Sequence, residues 1–205
     1  MYRLSFTYIL FAGMLCGCGP KRLSEAELGK YIADESNGIC KSAIVGNTTI
    51  KVSYRPADLW VSQELTNVSV TEKQITTIRG KYSPYLYFIL SFSTDNKETL
   101  HQSAGQQYSD LVQTLSFHMH DYVSLTTSTN DTIPVSDFML NRTYGMGNST
   151  DLLFVFSKEK AKDKDWIQFN LNECGLGIGM QRFRFDKNDL DNAPEIKFET
   201  KVNEL

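Results

Sequence analysis

Residues 85–90 have the sequence Tyr-Leu-Tyr-Phe-Ile-Leu, the most apolar stretch of the chain beyond its first twenty residues. A short run without charges is typical of a central β-strand that is covered on both faces. The run is far too short to cross a bilayer, which takes about 20 residues of helix. The sequence therefore predicts a sheet built around this strand.

The segments on either side of this strand have helical periodicity. After it, apolar residues recur at the spacing of one helix face, at Tyr108, Leu111, Val112, Leu115 and Met119. This spacing predicts a helix over 106–117. Before the strand, helices are predicted over 24–36, 56–66 and 71–80. The first of these begins at a capping box in which Ser24 and Glu27 satisfy each other's backbone amides.

The other segments either alternate with a period of two or run as short apolar stretches, and both patterns are typical of strands. A hairpin is predicted over 42–45 and 50–55, and later strands over 133–140, 152–156, 167–171, 183–185 and 196–198. Early helices followed by consecutive strands predict a single α+β domain over 24–205. We expect a mainly antiparallel sheet with an N-terminal helix and two or three further helices packed on it.

The composition is that of an ordinary globular chain. Of its 205 residues, 41% are hydrophobic and 22% are charged, and the formal net charge is −3. A domain of this size buries roughly 70% of its unfolded surface, which is enough for a core without metals. The slightly acidic balance, without a basic stripe, excludes nucleic acid as a partner.

The N-terminus has the layout of a secretory signal peptide over 1–17. A basic start at Arg3 precedes an apolar run over 4–15, and small residues follow. The apolar run is shorter than a membrane-spanning helix. A retained transmembrane anchor is the alternative interpretation of the same residues.

The end of this leader is Leu15-Cys16-Gly17-Cys18, which resembles the lipobox of bacterial lipoproteins. The resemblance implies that Cys18 is acylated through its thiol and becomes the first residue of the mature protein. Acylation at Cys16 is one alternative, and a secreted protein with Cys18 in a disulfide is another. Several acyl chains on one cysteine hold a protein on a bilayer essentially permanently. Residues 18–23 are then a lipidated tether.

The residues after Cys18 bear on where the lipoprotein resides. Gly19 occupies the position at which an Asp resembles an inner-membrane retention signal, which favours the bacterial outer membrane. Surface-exposed lipoproteins of the Bacteroidota often carry an acidic cluster next, whereas Pro20-Lys21-Arg22 is basic. We therefore expect a periplasm-facing protein.

Several segments of the mature chain stand out together. They are Tyr54-Arg55-Pro56-Ala57-Asp58-Leu59 with Gln63-Glu64-Leu65, Tyr144-Gly145-Met146 with Ser149-Thr150-Asp151-Leu152, Asn37-Gly38, and Tyr87-Phe88-Ile89-Leu90. This set resembles a family of uncharacterised Bacteroidota lipoproteins. The resemblance covers most of the mature chain and implies no known activity, so it transfers no catalytic residue. Arg55 and Asp58 are interpreted either as a local pair that caps the next helix or as an exposed binding turn.

Two cysteines remain after the lipidated one, Cys40 and Cys174. The oxidising envelope allows a disulfide between them, which would close a long loop and stabilise the domain by roughly 4–5 kcal/mol in the chain-entropy model. Two separate buried thiols are the alternative.

Candidate catalytic and metal-binding residues are few. His118-Met119-His120 lacks a third ligand at suitable spacing, and His118 falls near the apolar face of the predicted helix, so we expect it to be packed and hydrogen-bonded. The acidic run over 186–191 fails the EF-hand pattern and predicts a helical turn or a polar loop. The glycines over 175–179 lie between two strands, unlike a phosphate-binding loop. We therefore expect that the protein binds no cofactor and no metal and has no enzymatic activity.

One modification motif lies in a polar segment of the chain. Asp131-Thr132-Ile133 resembles the Asp-Ser/Thr-aliphatic motif for O-glycosylation of exported Bacteroidota proteins. The motif implies Thr132 as the acceptor.

These observations predict a lipid-anchored envelope protein that acts as a binding or scaffold module for another envelope component. Its aromatic side chains include candidate interface anchors at Trp60, Tyr82 and Trp166. An envelope hydrolase is one alternative, and it requires a cleft that gathers His118 or His120 with carboxylates. A glycan- or small-ligand-binding lipoprotein is the other, and it requires an open groove lined with Tyr or Trp.

Overall fold

The structure, a computed structural model, describes residues 21–65 and 70–199 and confirms an α+β fold. Two antiparallel sheets pack face to face, and helices lie around them. The signal peptide and Cys18 lie outside the described residues. The two sheets share one core, in which the Phe88 ring lies 5.7 Å from that of Phe169 and 5.3 Å from that of Phe185.

The helices are short. They are α1 Glu25–Ala33, α2 Asp58–Glu64, α3 Glu72–Tyr82, α4 Thr99–Gln102, α5 Gly105–Gln113 and α6 Lys187–Asp191. The chain continues from α5 into a π-helical turn over Thr114–His118. Short 3₁₀ turns lie at Glu35–Asn37, Met119–Asp121 and Glu159–Ala161.

The strands are spread along the whole described chain. They are β1 Arg22–Leu23, β2 Cys40–Val45, β3 Thr48–Arg55, β4 Tyr85–Thr94, β5 Lys97–Glu98, β6 Val123–Thr127, β7 Thr132–Pro134, β8 Asp137–Asn141, β9 Thr150–Ser157, β10 Trp166–Leu171, β11 Gln181–Asp186 and β12 Glu195–Ile196.

The larger sheet has the order β2-β3-β4-β9-β8, with β5 paired to β4. The predicted strand at 85–90 is therefore confirmed as part of the central strand β4. Because side chains alternate between the faces of a strand, Leu86, Phe88, Leu90 and Phe92 all point into the core. The opposite face of β4 carries Tyr87, Ile89 and Ser91, and we call this face of the sheet the outer face.

The second sheet has the order β11-β10-β6-β7. The single strand predicted over 133–140 is wrong, because the chain changes sheets within it. Ile133 of β7 pairs with Leu125, whereas Phe138 of β8 pairs with Phe154 in the larger sheet. Pro134 has no backbone N–H to donate to a sheet, and the crossing follows it directly.

The N-terminal helix forms as expected at its start and ends earlier. The capping box between Ser24 and Glu27 is present, but α1 ends at Ala33. A separate 3₁₀ turn follows and ends at Gly38, whose φ of +76° is the left-handed conformation that glycine favours at the end of a helix. Arg22 and Leu23, predicted to be part of the tether, form β1 and pair in parallel with β12.

Of the two alternatives for Cys40 and Cys174, the disulfide is absent, and the structure shows two separate buried thiols. Cys40 begins β2, and the charges nearest to it belong to Lys51, Glu35 and Arg55. Cys174 follows β10 of the other sheet and lines a cavity beside α5. The two cysteines thus lie in different surroundings, and each packs as a small apolar side chain.

Candidate ligand-binding groove

An open groove of about 360 Å³ runs across the outer face of the larger sheet. Its floor is a row of three apolar side chains, Ile89 of β4, Leu153 of β9 and Met139 of β8, which lie directly opposite one another in the sheet register. Ile89 and Leu153 are half-buried, and Met139 is 60% exposed. The outer face of an antiparallel sheet is usually polar, so an apolar row here is open to a partner.

Helix α2 forms one wall of the groove with Leu59, Trp60 and Gln63. The Trp60 ring packs on Tyr87 of β4, with 5.3 Å between the ring centroids. Its indole Nε1 is buried and donates to no acceptor among the residues that the structure describes. A buried donor without a partner is unfavourable, and such groups often mark a functional position.

The groove carries one positive and one negative side chain that do not pair with each other. Arg55 is the last residue of β3 and is half-buried, and its side chain makes no hydrogen bond or ion pair within residues 21–65 and 70–199. Burial lowers the pKa of Arg55, and the charge of Asp151 partly opposes this shift. Asp151 on β9 accepts a hydrogen bond from Ser149 Oγ at 2.8 Å and lies opposite Asn141.

The predicted pair between Arg55 and Asp58 is wrong. Asp58 binds Arg79 instead, with both carboxylate oxygens engaged at 2.8 and 2.6 Å. It does not cap α2 either, because the cap position is Ala57 and no side chain bonds there. Since Arg55 lines the groove and Asp58 lines a different cavity beside Arg79, the predicted binding turn retains only Arg55 as a groove residue.

The histidine cluster lies away from the groove. His118 is exposed and Met119 is fully buried, so the expectation that His118 packs into the core is wrong. The π-helical turn over Thr114–His118 rotates the chain and brings Met119 inward instead. His120 Nε2 lies 3.4 Å from Asp121, its neighbour in the chain. Among the described residues, no three His, Cys, Asp or Glu side chains are grouped to hold a metal.

The glycine-rich loop joins β10 to β11, as the sequence predicted. The backbone N–H groups of Gly175, Gly177 and Gly179 converge on the carboxylate of Glu173, at 2.8, 2.8 and 2.6 Å. Burial alone would raise the pKa of Glu173, but these three N–H groups together lower it. The loop is thus an anion-binding arrangement whose occupant is the chain's own carboxylate.

The other predicted residues lie outside the groove. Thr132 is exposed at the start of β7, a position open to modification. Of the proposed interface anchors, Trp166 stacks against Arg184 in the second sheet, and Tyr82 donates its hydroxyl to Glu64. The acidic run over 186–191 forms α6, in agreement with the predicted helical turn.

Sequence reasoning missed the floor of the groove and Asp151. One feature of the sequence indicates the apolar floor. The stretches over 85–90 and 152–156 are apolar at successive positions instead of alternating. Such runs leave apolar side chains on both faces of a strand, so one face needs a cover beyond the core. Helix α2 lies along one side of this face, Met139 on the other side is exposed, and the groove lies between them.

No protein-family model and no curated protein matches this chain. Among solved structures, the chain is similar to a crystal structure of a protein of unknown function from Burkholderia pseudomallei K96243, with 14% identity and a TM-score of 0.38. The match covers 84% of this chain and 94% of that chain. None of the helices formed by the described residues has the length and hydrophobicity needed to cross a membrane.

Proposed function

We propose that this protein is a lipid-anchored outer-membrane protein that binds another envelope component and performs no chemistry of its own. Acyl chains on Cys18 fasten it to the membrane, and the domain faces the periplasm. The groove on the outer face of the larger sheet is the binding surface. The observation that carries the proposal is the open apolar row of Ile89, Leu153 and Met139 at its floor.

The chemistry of the groove suits binding. An apolar floor gains about 25 cal/mol for each Å² that a partner removes from water, and a few polar groups at its rim then fix the orientation of the partner. Arg55, Asp151 and Asn141 supply such groups. Anchoring supports the same role, because only a few residues separate Cys18 from β1 and the domain would be held close to the bilayer.

The test is affinity purification of the lipidated protein from native membranes in mild detergent, with identification of what comes with it. Met139→Glu places a charge on the floor of the groove, and we expect it to abolish co-purification of the partner. Met180→Glu is the matched control, because Met180 is 58% exposed and does not line the groove. A failure of wild-type protein to retain any component reproducibly, or equal loss in both variants, would overturn the proposal.

The anchor is tested separately by labelling cells with radioactive palmitate. We expect Cys18→Ala to remove the label and to release the protein from the membrane. Undiminished label in this variant would contradict acylation at Cys18.

A second candidate, a small-ligand or glycan-binding lipoprotein, is favoured by one observation. The groove is open, and Trp60 stands in its wall with a ring that could stack on an apolar or sugar face. Its volume of about 360 Å³ is at the lower end of small-molecule sites. Saturable binding of a purified small molecule, without a protein partner, would favour this candidate.

A further inference from the structure

We propose that the component bound in the groove is the C-terminus of a peptide chain, with its α-carboxylate on Arg55 and an apolar last side chain on the floor. This inference rests on the proposed function, because it names the partner of the same site. It commits to one chemistry, a free carboxylate next to an apolar group, presented by a polypeptide end.

Arg55 favours a carboxylate as the bound group. The guanidinium is half-buried and has no hydrogen-bond acceptor in the described part of the chain, so its lost hydration is offset only in part, by the charge of Asp151. The nearest opposite charge, Asp151, has no oxygen within ion-pair distance of it. Because Arg presents a planar fork of N–H donors, the acceptor that fits it best is a carboxylate bound through both oxygens.

The other polar groups of the groove separate a peptide end from other carboxylates. Asp151 can only accept hydrogen bonds, and Asn141 can accept or donate. A peptide offers these groups backbone N–H donors beyond its terminal carboxylate. A fatty acid offers none, and a neutral sugar offers no charge for Arg55. Only the peptide end satisfies both rims of the groove.

The dimensions fit a few residues. In the register of the sheet, Arg55 lies opposite Tyr87 and Asp151 lies opposite Ser91, four residues along β4. Four residues of strand span about 13 Å, and the two strand spacings from β3 to β9 add about 10 Å across the sheet, so the two backbone positions are roughly 16 Å apart and an acetylated tetrapeptide in extended form covers that distance. The apolar row of Ile89, Leu153 and Met139 lies between the two rims and would receive the last side chain.

The probe is the tetrapeptide acetyl-Gly-Ala-Ala-Leu, used as the free acid and as the C-terminal amide. The protein is the lipidated mature chain in maltoside micelles, carrying Trp166→Phe so that Trp60 is its sole tryptophan. We expect saturable change in Trp60 fluorescence with the acid and at least tenfold weaker binding of the amide. In the matched variant Trp60→Phe, which retains Trp166 in the second sheet, the emission should not change.

Variants of Arg55 then locate the carboxylate. Arg55→Met should bring the affinity for the acid down to that for the amide, and Arg55→Lys should weaken acid binding at least threefold because the lysine lacks the fork. Arg182→Met, an exposed arginine of β11 outside the groove, should leave the preference unchanged. A far-ultraviolet circular dichroism spectrum shows that each variant is folded, and Arg55→Lys retains the test if Arg55→Met is not.

The outcomes separate this inference from the proposed function. Equal binding of acid and amide overturns the inference that the groove binds a peptide C-terminus. Absence of binding by either peptide, while Met139→Glu still abolishes co-purification, overturns it as well. In both cases the proposed function as a binding protein stands. Tighter binding of oleate than of the tetrapeptide acid also overturns it. Loss of both the tetrapeptide signal and any co-purifying partner overturns both proposals.

Discussion

Arg79 and Asp58 form a bidentate ion pair across 21 residues of chain. Arg79 Nε and Nη2 donate to the two carboxylate oxygens at 2.8 and 2.6 Å, and the Asp58 side chain is 7% exposed. The backbone N–H of Ile196 donates to the same carboxylate at 2.8 Å. The pair therefore joins α2, α3 and β12, and it holds the helix that forms the wall of the groove.

Replacing Asp58 by Asn should destabilise the protein by about 3 kcal/mol. The substitution removes the buried partner of the pair, and Arg79 then retains only Glu195, which lies at 3.2 Å and is partly exposed. The hydrogen bonds that Arg79 donates to Asp58 raise the pKa of Arg79, and their loss leaves a guanidinium that stays charged without its main acceptor. Urea unfolding measures the loss. Glu64→Gln is the control, because the Glu64–Lys81 pair is exposed and should not shift the midpoint. Equal effects of the two substitutions would contradict this role of Asp58.

Local features of the fold could be predicted from the sequence. The capping box of α1, the hairpin of β2 and β3 and the central strand β4 depend on neighbouring residues and on periodicity. These are properties that a short window of sequence contains. For the same reason, the acidic run over 186–191 predicted a helical turn or a polar loop, and the structure shows the helical turn α6.

What could not be predicted depends on distant partners. The sequence suggested that Asp58 pairs with Arg55, three residues away, whereas its partners are Arg79 and the backbone of Ile196. The separation of β7 and β8 into two sheets depends on which strands they meet. The groove likewise exists only because β8 and β9 bring Met139 and Leu153 beside Ile89, and no spacing in the sequence contains that register.

Gly38→Ala should destabilise the protein by about 1–2 kcal/mol. Gly38 has a φ of +76°, which is unfavourable for a residue with a Cβ, and that Cβ would lie 2.0 Å from Oδ2 of Asp189. Gly80→Ala is the matched control, because Gly80 lies within α3 with open space around it. This substitution should stabilise the helix by roughly 0.5–1 kcal/mol. Thermal unfolding of the two variants shows whether each substitution raises or lowers the stability. A stabilising effect at Gly38 would contradict the capping role.

The glycine loop should loosen at acid pH. The pKa of Glu173 is lowered in the folded protein. The ionised carboxylate therefore stabilises the fold fully above its ordinary pKa of 4.5, and this stabilisation is lost as the pH falls through the lower pKa of the folded state. We expect the amide resonances of Gly175, Gly177 and Gly179 to titrate together with a midpoint below 4.5. Glu173→Gln should abolish this titration. Independent midpoints for the three amides would contradict a shared carboxylate.

Cys40 and Cys174 should react with thiol reagents only after unfolding. Burial raises the pKa of the Cys40 thiol, and it raises the pKa of the Cys174 thiol to about 12, so neither provides much thiolate at pH 8. Iodoacetamide added in guanidinium, without a reductant, should add two groups to a chain that begins at residue 21. Intact mass measures the number added. A mass increase of zero until reductant is present would restore the disulfide.

Arg55→Met should leave the free protein as stable as the wild type or stabilise it by up to about 1 kcal/mol. The Arg55 side chain makes no ion pair or hydrogen bond in the part of the chain that the structure describes, so its removal breaks no such contact and relieves the cost of a half-buried charge that Asp151 offsets only in part. Arg79→Met is the matched control and should be strongly destabilising, because it orphans Asp58. Urea unfolding of both variants without ligand makes the comparison. If Arg55→Met lost as much stability as Arg79→Met, Arg55 would have a structural role, and its position in the groove would not indicate a ligand.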